Sequence, residues 1–290
     1  MPNIAIYSQK NGDEIQAYLH QFILELEKRE NVQIFLHEKI LEKNSLLGKY
    51  QIFSDKNSLE KCEIDYFFSF GGDGTILSAL TLIQDLETPV VGVNMGRLGF
   101  LANFSKEEIF DNIDKIFAGE THISQRSVIE VKTAENRIDF PYALNDVVIT
   151  RQETTSMITV EAEINGKFLS MFWGDGLIVA TPSGSTAYSL SCGGPIIEPE
   201  NDNFSLTPIA PHNLNMRPII LKDNVEIKLK VSSRLPLYSL GLDSRLYHMN
   251  EEDELILKKA DFSLNLIFPK NVSFYETLRQ KLLWGNDKRN

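Results

Sequence analysis

The chain has 290 residues, 42% of them hydrophobic and 24% charged, with a formal net charge of −11. That length fills one large or two ordinary domains, and the balance is that of a soluble globular protein, not a disordered one. The acidic excess excludes a general nucleic-acid binder, which would show a basic footprint, so anionic substrates must be held by local donors.

Cys62 and Cys192 are the only cysteines, and two thiols so far apart make neither a zinc spacing nor a disulfide framework. The opening Met1-Pro2-Asn3-Ile4-Ala5-Ile6 lacks a basic segment followed by an apolar one, so no signal peptide is expected. No apolar run approaches membrane-span length. The expectation is a cytoplasmic protein with no membrane or nucleic-acid partner.

In chain order, Asn3–Tyr7 reads as a strand, and Asn11-Gly12 as the turn after it. From Asp13 to about Glu30, Ile15, Tyr18, Leu19, Phe22 and Leu26 recur at helical spacing. Val32–Leu36 is a second strand, a helical segment lies near Ile40 to Leu47, and a central strand ends at Phe70. This alternation predicts an α/β domain with a parallel sheet. Pro89–Asn94 is another buried-type strand, entering a second glycine turn from Asn94 to Leu101. Ser105-Lys106-Glu107-Glu108 is a capping-box signature for a helix to about Phe117.

The character then changes. Ser127–Lys132, Ala143–Thr150, Met157–Ile164 and Lys167–Trp173 read as strands, with Asn165-Gly166 as a hairpin turn. Val225–Val231, Leu237–Leu240 and Leu255–Lys258 follow, giving a second, mostly β domain that is expected to share a close interface with the first. Ser273-Phe274-Tyr275-Glu276 is another capping box, opening a last helix that is expected to return to the first domain. The division expected is 1–120 plus a tail from about 268 to 290, and 121–267.

The stretch with the most chemistry is Gly71-Gly72-Asp73-Gly74-Thr75, between the central strand and a helix entered through Ile76-Leu77. Glycines let backbone approach an anion, and free N–H groups at a helix start point at it. A carboxylate beside phosphates has to handle a proton or a metal, so Asp73 is the candidate reacting centre. The bland alternative is a tight strand-to-helix turn. The chain has neither a Walker-type G-x-x-x-x-G-K-[ST] sequence nor a G-x-G-x-x-G fingerprint after its first strand.

Asn145-Asp146 lies inside an apolar strand, where two polar residues need partners. They suit a sugar diol, or else they sit on an edge-strand bulge facing water. Gly174-Asp175-Gly176 and Thr181 to Pro195 supply small hydroxylated residues and glycines at close range. Within them Tyr188 can stack on a base and Asp175 is a second candidate carboxylate, against the alternative of a plain loop. Cys192 reads as a packed small residue and His212 as a structural hydrogen-bonder. The Lys and Arg residues on the helices read as solvated faces.

Together these residues resemble the NAD kinase family (ATP-NAD kinases). Gly71–Thr75 matches the family's first motif, Asn94 to Leu101 its N-x-G-x-L-G-F-L stretch, and Leu144-Asn145-Asp146 its N-E/D motif. Gly174 to Pro195 matches, nearly without gaps, the long G-D-G-L…T-P-x-G-S-T-A-Y-S-L-S-x-G-G-P motif. Diacylglycerol kinases, sphingosine kinases and phosphofructokinases carry sequences related to the first motif, whereas the last is specific.

The resemblance implies transfer of the ATP γ-phosphoryl group to the 2′-hydroxyl of the adenosine ribose of NAD, with Asp73 as proton acceptor. It implies that Gly71, Gly72, Gly74 and Thr75 form the phosphate corner. Phe100, Asn145, Asp146, Asp175, Thr186, Ala187, Tyr188, Ser189, Leu190, Ser191 and Ala210 then belong to the dinucleotide site. It further implies a Rossmann-like α/β N-terminal domain, an all-β sandwich-like C-terminal domain, a homodimer or homotetramer, and a divalent metal, Mg²⁺, accompanying ATP. No metal-ligating residue is singled out, and Arg97 is the one guess for a phosphate-holding cation. The chain departs from the family pattern at Asp243-Ser244-Arg245, where D-G-Q is usual, and at Trp173, where bacterial members carry a basic residue. The rival readings are a lipid kinase sharing the glycine–aspartate corner and a non-catalytic dinucleotide sensor.

Overall fold

The structure, a computed structural model, describes residues 2–41, 48–96, 99–134, 137–152, 156–234, 236–270 and 272–283. The chain divides into two compact units, Met1–Gln125 with Leu264–Asn290, and Arg126–Ser263.

In the first unit, β1 (Asn3–Tyr7), β2 (Gln33–His37), β3 (Gln51–Phe53), β4 (Tyr66–Gly71) and β5 (Val90–Asn94) form a parallel sheet in the order β5-β4-β1-β2-β3. The short β6 (Phe104–Ser105) adds to β5. The strands are near-continuous apolar runs, as expected of a parallel sheet covered on both faces. Every residue of β5 and all but the first of β4 are buried. Helix α1 (Asp13–Glu27) buries Ile15, Leu19, Phe22, Ile23 and Leu26, one face at helical spacing. These side chains join Phe68, Phe70, Val91 and Val93 in the core of the unit.

The short helices α2 (Glu38–Leu41) and α3 (Lys56–Glu60) complete the first half of the unit. The helical segment expected near Ile40 to Leu47 lies outside the described residues beyond Leu41. Helix α4 (Asp73–Ile83) leaves the end of β4 directly. Before α5 (Glu108–Phe117) the capping box closes as expected. The Ser105 amide donates to Glu108 Oε2 and the Glu108 amide to Ser105 Oγ, both at 3.1 Å.

The second unit is built from two antiparallel sheets. One holds β10 (Ile158–Ile164), β11 (Lys167–Gly174), β15 (Ile227–Ser232) and the start of β18 (Leu255–Pro269), in the order β11-β10-β15-β18. The other runs β14-β13-β12-β9-β16-β17. Its strands are β9 (Asp146–Arg151), β12 (Gly176–Ala180), β13 (Asn203–Ile209), β14 (Ile219–Lys222), β16 (Leu237–Leu242) and β17 (Arg245–Asn250). Strand β7 (Thr121–Lys132), which enters the unit, pairs with β8 (Tyr142–Ala143). Val147, Ile149, Val160, Leu177, Phe204, Leu229, Leu240 and Leu257 share one core between the sheets. The Asn165-Gly166 turn has φ of 50° and 73°, as a tight two-residue hairpin turn requires.

The strand expected over Ala143–Thr150 is broken: β8 ends at Ala143 and β9 begins at Asp146. β12 and β13 were not foreseen, because the glycine- and hydroxyl-rich sequence around them reads as loop although β12 is buried at every residue. Helix α6 is the single turn Tyr188–Ser191, and α7 (Phe274–Leu282) starts at Ser273, whose hydroxyl accepts from the Glu276 amide.

Candidate active site

In the first unit the sheet order places β4 beside β1, where successive strands switch direction across the sheet. Open α/β sheets bind ligands at the carboxyl ends of strands at such a point. Gly71 ends β4, Gly72 caps α4 and Asp73 is its first residue. A side chain at Gly71 would overlap Thr75, which is buried beneath it, so this corner tolerates nothing larger than glycine. Gly72 and Gly74 are exposed, with no atom within 4 Å of where a side chain would begin. That leaves backbone open to an approaching ligand.

The Asp73 carboxylate does more than face the corner. Its Oδ2 accepts from the Phe100 amide at 2.7 Å, and its Oδ1 from the Leu101 and Ala102 amides at 3.0 and 3.1 Å. The Met95 amide also donates to the Gly71 carbonyl at 3.1 Å. One carboxylate therefore fixes the second glycine turn against the first. Gly99 is required there, since a methyl group on it would overlap the carboxylate. Sequence reading placed Asp73 and Phe100 in one site but missed this clamp. Arg97 lies outside the described residues.

In the second unit Asn145 and Asp146 do not sit on an exposed edge. β9 runs between β12 and β16, and Asp146 is only 5% exposed. The break before β9 has a local cause, the Asp243 carboxylate. It accepts from the amides of Leu144 at 2.9 Å, Asn145 at 2.7 Å and Asp146 at 3.2 Å, turning those donors out of the strand ladder. The Asp243 amide in turn donates to the Asp146 carbonyl at 3.0 Å. In the Asp243-Ser244-Arg245 departure, Arg245 is engaged inside the unit, donating to the Tyr142 carbonyl and lying 4.7 Å from the Phe140 ring centre.

The hydroxyl-rich segment packs onto this turn. Thr181 donates its amide to the Asn145 carbonyl at 2.9 Å and its hydroxyl to the Leu144 carbonyl at 2.5 Å. The Tyr188 backbone N–H faces the Asp146 carboxylate and favours its charged form. The Asn145 side-chain oxygen is buried with no partner among the described residues, an acceptor waiting for a donor. Thr186, Ala187 and Leu190 are half-buried, and Tyr188 and Ser191 are exposed on the same short segment. Ser189 is the exception: it is fully buried, and its hydroxyl meets Thr207 at 2.8 Å. Its side chain packs inward, away from its exposed neighbours.

Asp175 is paired with Arg151, Nε to Oδ1 at 2.8 Å, a partner the sequence reading missed. A side chain at Gly174 would meet the carbonyls of Ile209 and Ala210, so Ala210, with φ of +41°, lies against the strand end carrying Asp175. His212 acts through its ring, 4.3 Å from that of Trp173, and through its amide, which donates to the Trp173 carbonyl. Burial pushes the Cys192 thiol up, away from the thiolate a nucleophile needs, in keeping with a packed small residue.

Burial, reinforced by the neighbouring Asp243 carboxylate, raises the Asp146 carboxyl to about 7. The folded value exceeds the ordinary 3.8, so this group favours the fold below about pH 4, and that contribution is lost as pH rises through about 7. Asp146→Asn should therefore melt higher than wild type at pH 8, with the gap closing toward pH 5. Thermal melts across that range check it, and an equal gap at both pH values contradicts it. Gly184→Ala should cost about 1–3 kcal/mol by overpacking. The added methyl would overlap the Asn145 carbonyl oxygen, and backbone cannot yield there as a flexible side chain can. Denaturant melts would measure it, and a neutral substitution would refute that contact.

Residues 11–121 match the family model for the ATP-NAD kinase N-terminal domain, and residues 144–268 that for the ATP-NAD kinase C-terminal domain. The NAD kinase of Christiangramia forsetii is 43% identical over 99% of both chains. That of Flavobacterium psychrophilum is 43% identical over 98% of this chain and 97% of its own. Two solved structures share the fold. A yeast NADH kinase complexed with NADH has a TM-score of 0.88 at 22% identity, over 99% of this chain and 89% of that one. An NAD kinase from Archaeoglobus fulgidus in complex with ATP has a TM-score of 0.74 at 24% identity, over 97% and 98%. On these sequence matches, the chain belongs to the ATP-NAD kinase family.

Proposed function

We propose that the protein transfers the γ-phosphoryl group of ATP to the 2′-hydroxyl of the adenosine ribose of NAD, forming NADP. The bond from the γ-phosphorus to the ADP oxygen breaks as that to the ribose oxygen forms, and Asp73 takes the hydroxyl proton. The observation that carries this reading is the placement of Asp73, a carboxylate fixed by three amides between two exposed glycines at the end of a parallel strand. Phosphoryl transfer through a loose transition state asks mainly for alignment and charge neutralisation. A base in such a reaction need not be strong, but it must be close and oriented. The three amides supply the orientation.

Gly71, Gly72, Gly74 and Thr75 form the phosphate corner in this reading. Asn145 and Asp146 take the hydroxyls of a ribose, the unpartnered Asn145 oxygen accepting one of them. Phe100, Asp175, Thr186, Ala187, Tyr188, Leu190, Ser191 and Ala210 hold the rest of the dinucleotide, with the exposed Tyr188 ring as the stacking surface. A divalent ion, Mg²⁺, supplies charge neutralisation when bound with the phosphates of ATP. Among the described residues no group of three His, Cys, Asp or Glu side chains is gathered to hold a metal, and we assign it no protein ligand.

We place the protein in the cytoplasm, in keeping with two free cysteines and no described helix long and apolar enough to cross a membrane. We expect a homodimer or homotetramer. Phe168, Met171 and Trp173 are exposed along the edge strand β11, and their partners Glu163, Glu161 and Thr159 alternate on β10, which puts the three on one face. Light scattering on the eluting protein reads the assembly.

The function is tested by supplying purified protein with NAD, ATP and Mg²⁺ and reading NADP through an NADP-specific dehydrogenase. NADP formation supports the reading. NAD binding without product would favour a sensor, and phosphorylation of diacylglycerol vesicles instead of NAD would favour a lipid kinase.

A further inference from the structure

Lys281 sits in the last turn of α7 and is half-buried, whereas Lys39 and Lys115 on α2 and α5 are exposed. Its ammonium lies 5.5 Å from the centre of the Phe100 ring. Phe274, at the start of the same helix, packs its ring 6.5 Å from that of Phe100. The Phe100 amide in turn holds Asp73. The helix thus rests on the loop that the Asp73 carboxylate clamps, and it presents a cation to it.

An ammonium pays for leaving water unless an anion or a ring face compensates. Here burial pulls the Lys281 pKa down and the Asp73 charge pulls it partly back. The compensation from one ring and one carboxylate is incomplete. A polyphosphate at the glycine corner would complete it, and a cation there would meet the charge that spreads over the transferring group. With a net charge of −11 the chain has no global positive field for a polyanion, so local donors of this kind have to hold it.

We propose that Lys281 is a phosphate-holding residue of the transfer site, binding the polyphosphate of the nucleotide donor beside Asp73. This rests on the phosphotransfer reading above, and it assigns a cation that sequence reading sought at Arg97.

The test compares wild type, Lys281→Met and Lys281→Arg in steady-state kinetics, with inorganic triphosphate binding measured separately by calorimetry. Methionine keeps the alkyl stem over Phe100 and removes only the charge. The methionine variant should lose about 10²-fold or more in kcat/KM for ATP, as removal of a charge-stabilising donor does. Its KM for NAD should stay within about twofold, and its melting temperature should be close to wild type. Its triphosphate affinity should fall about tenfold, the scale of one charge-assisted contact, and arginine should restore most of both losses. A lysine that merely anchors the helix would lower the melting temperature of the methionine variant and leave kcat/KM for ATP unchanged in the folded protein. Unchanged ATP kinetics and triphosphate affinity would overturn the proposal. If wild type forms no NADP, the functional reading fails by itself, and triphosphate binding still decides the fate of Lys281. If the methionine variant melts below the assay temperature, Lys281→Gln is read in the same way.

Discussion

Asp73→Asn is expected to lower kcat for NADP formation by about 10²–10⁴-fold, the usual contribution of a positioned general base. The structure sharpens what the variant does. Asparagine keeps one oxygen, which can still accept from the Leu101 and Ala102 amides now on Oδ1. Its NH₂ group then faces the Phe100 amide, which donates to Oδ2 in the native site. One lost acceptor of this kind costs about 1–3 kcal/mol, well short of the total stability of a protein this size. The variant should therefore fold, melt somewhat lower and bind NAD with little change. Kinetics and calorimetric NAD titration on the same preparation separate the roles. A fall in kcat alone marks a base. Equal losses of kcat and NAD affinity would mean that Asp73 acts by organising the second glycine turn, and an unchanged kcat would remove it from the chemistry.

Asp243→Ala is expected to be the most destabilising single substitution in the second unit. Its carboxylate is the acceptor for three consecutive amides, those of Leu144, Asn145 and Asp146. Removing it leaves three donors in a buried turn without partners, at about 1–3 kcal/mol each when water cannot reach them. An opposing term exists. Burial raises the Asp243 pKa, and its charge helps raise that of Asp146, so deleting it relieves one repulsion between carboxylates. Relief of a single pairing is smaller than three orphaned donors, so the sum remains strongly destabilising. Because the same turn aims Asn145 and Asp146, NAD affinity should fall as well. Asp243→Asn, which retains an acceptor oxygen, should recover much of the stability. Urea melts of both variants check this, and an alanine variant as stable as wild type would contradict the clamp.

Much of the first unit was legible because its signals are local. Apolar runs such as Val90–Val93 mark buried parallel strands, and Ser105 with Glu108 forms its reciprocal cap as written. The glycine corner was legible for the same reason: strand, turn and helix start are neighbours in sequence. What stayed hidden depends on partners far along the chain. Asp243 lies about a hundred residues from the turn it builds, and drew notice only as the first residue of a stretch whose next two, Ser244 and Arg245, depart from a family pattern. The break between Ala143 and Asp146 left a local sign in the polar Asn145-Asp146 pair, but nothing nearby in sequence names the carboxylate that makes it. Ser189 could not be told from its exposed neighbours, since only its pairing with Thr207 turns it inward. Lys281 looked like any surface lysine, because its burial comes from Phe100, far away in sequence.

The most direct test of the central claim is to give the purified protein γ-labelled ATP with Mg²⁺ and offer NAD and diacylglycerol vesicles together. The label should pass to a single dinucleotide product that an NADP-specific dehydrogenase reduces, with none in lipid. Label in the lipid, or no transfer while NAD remains bound, would contradict the assignment.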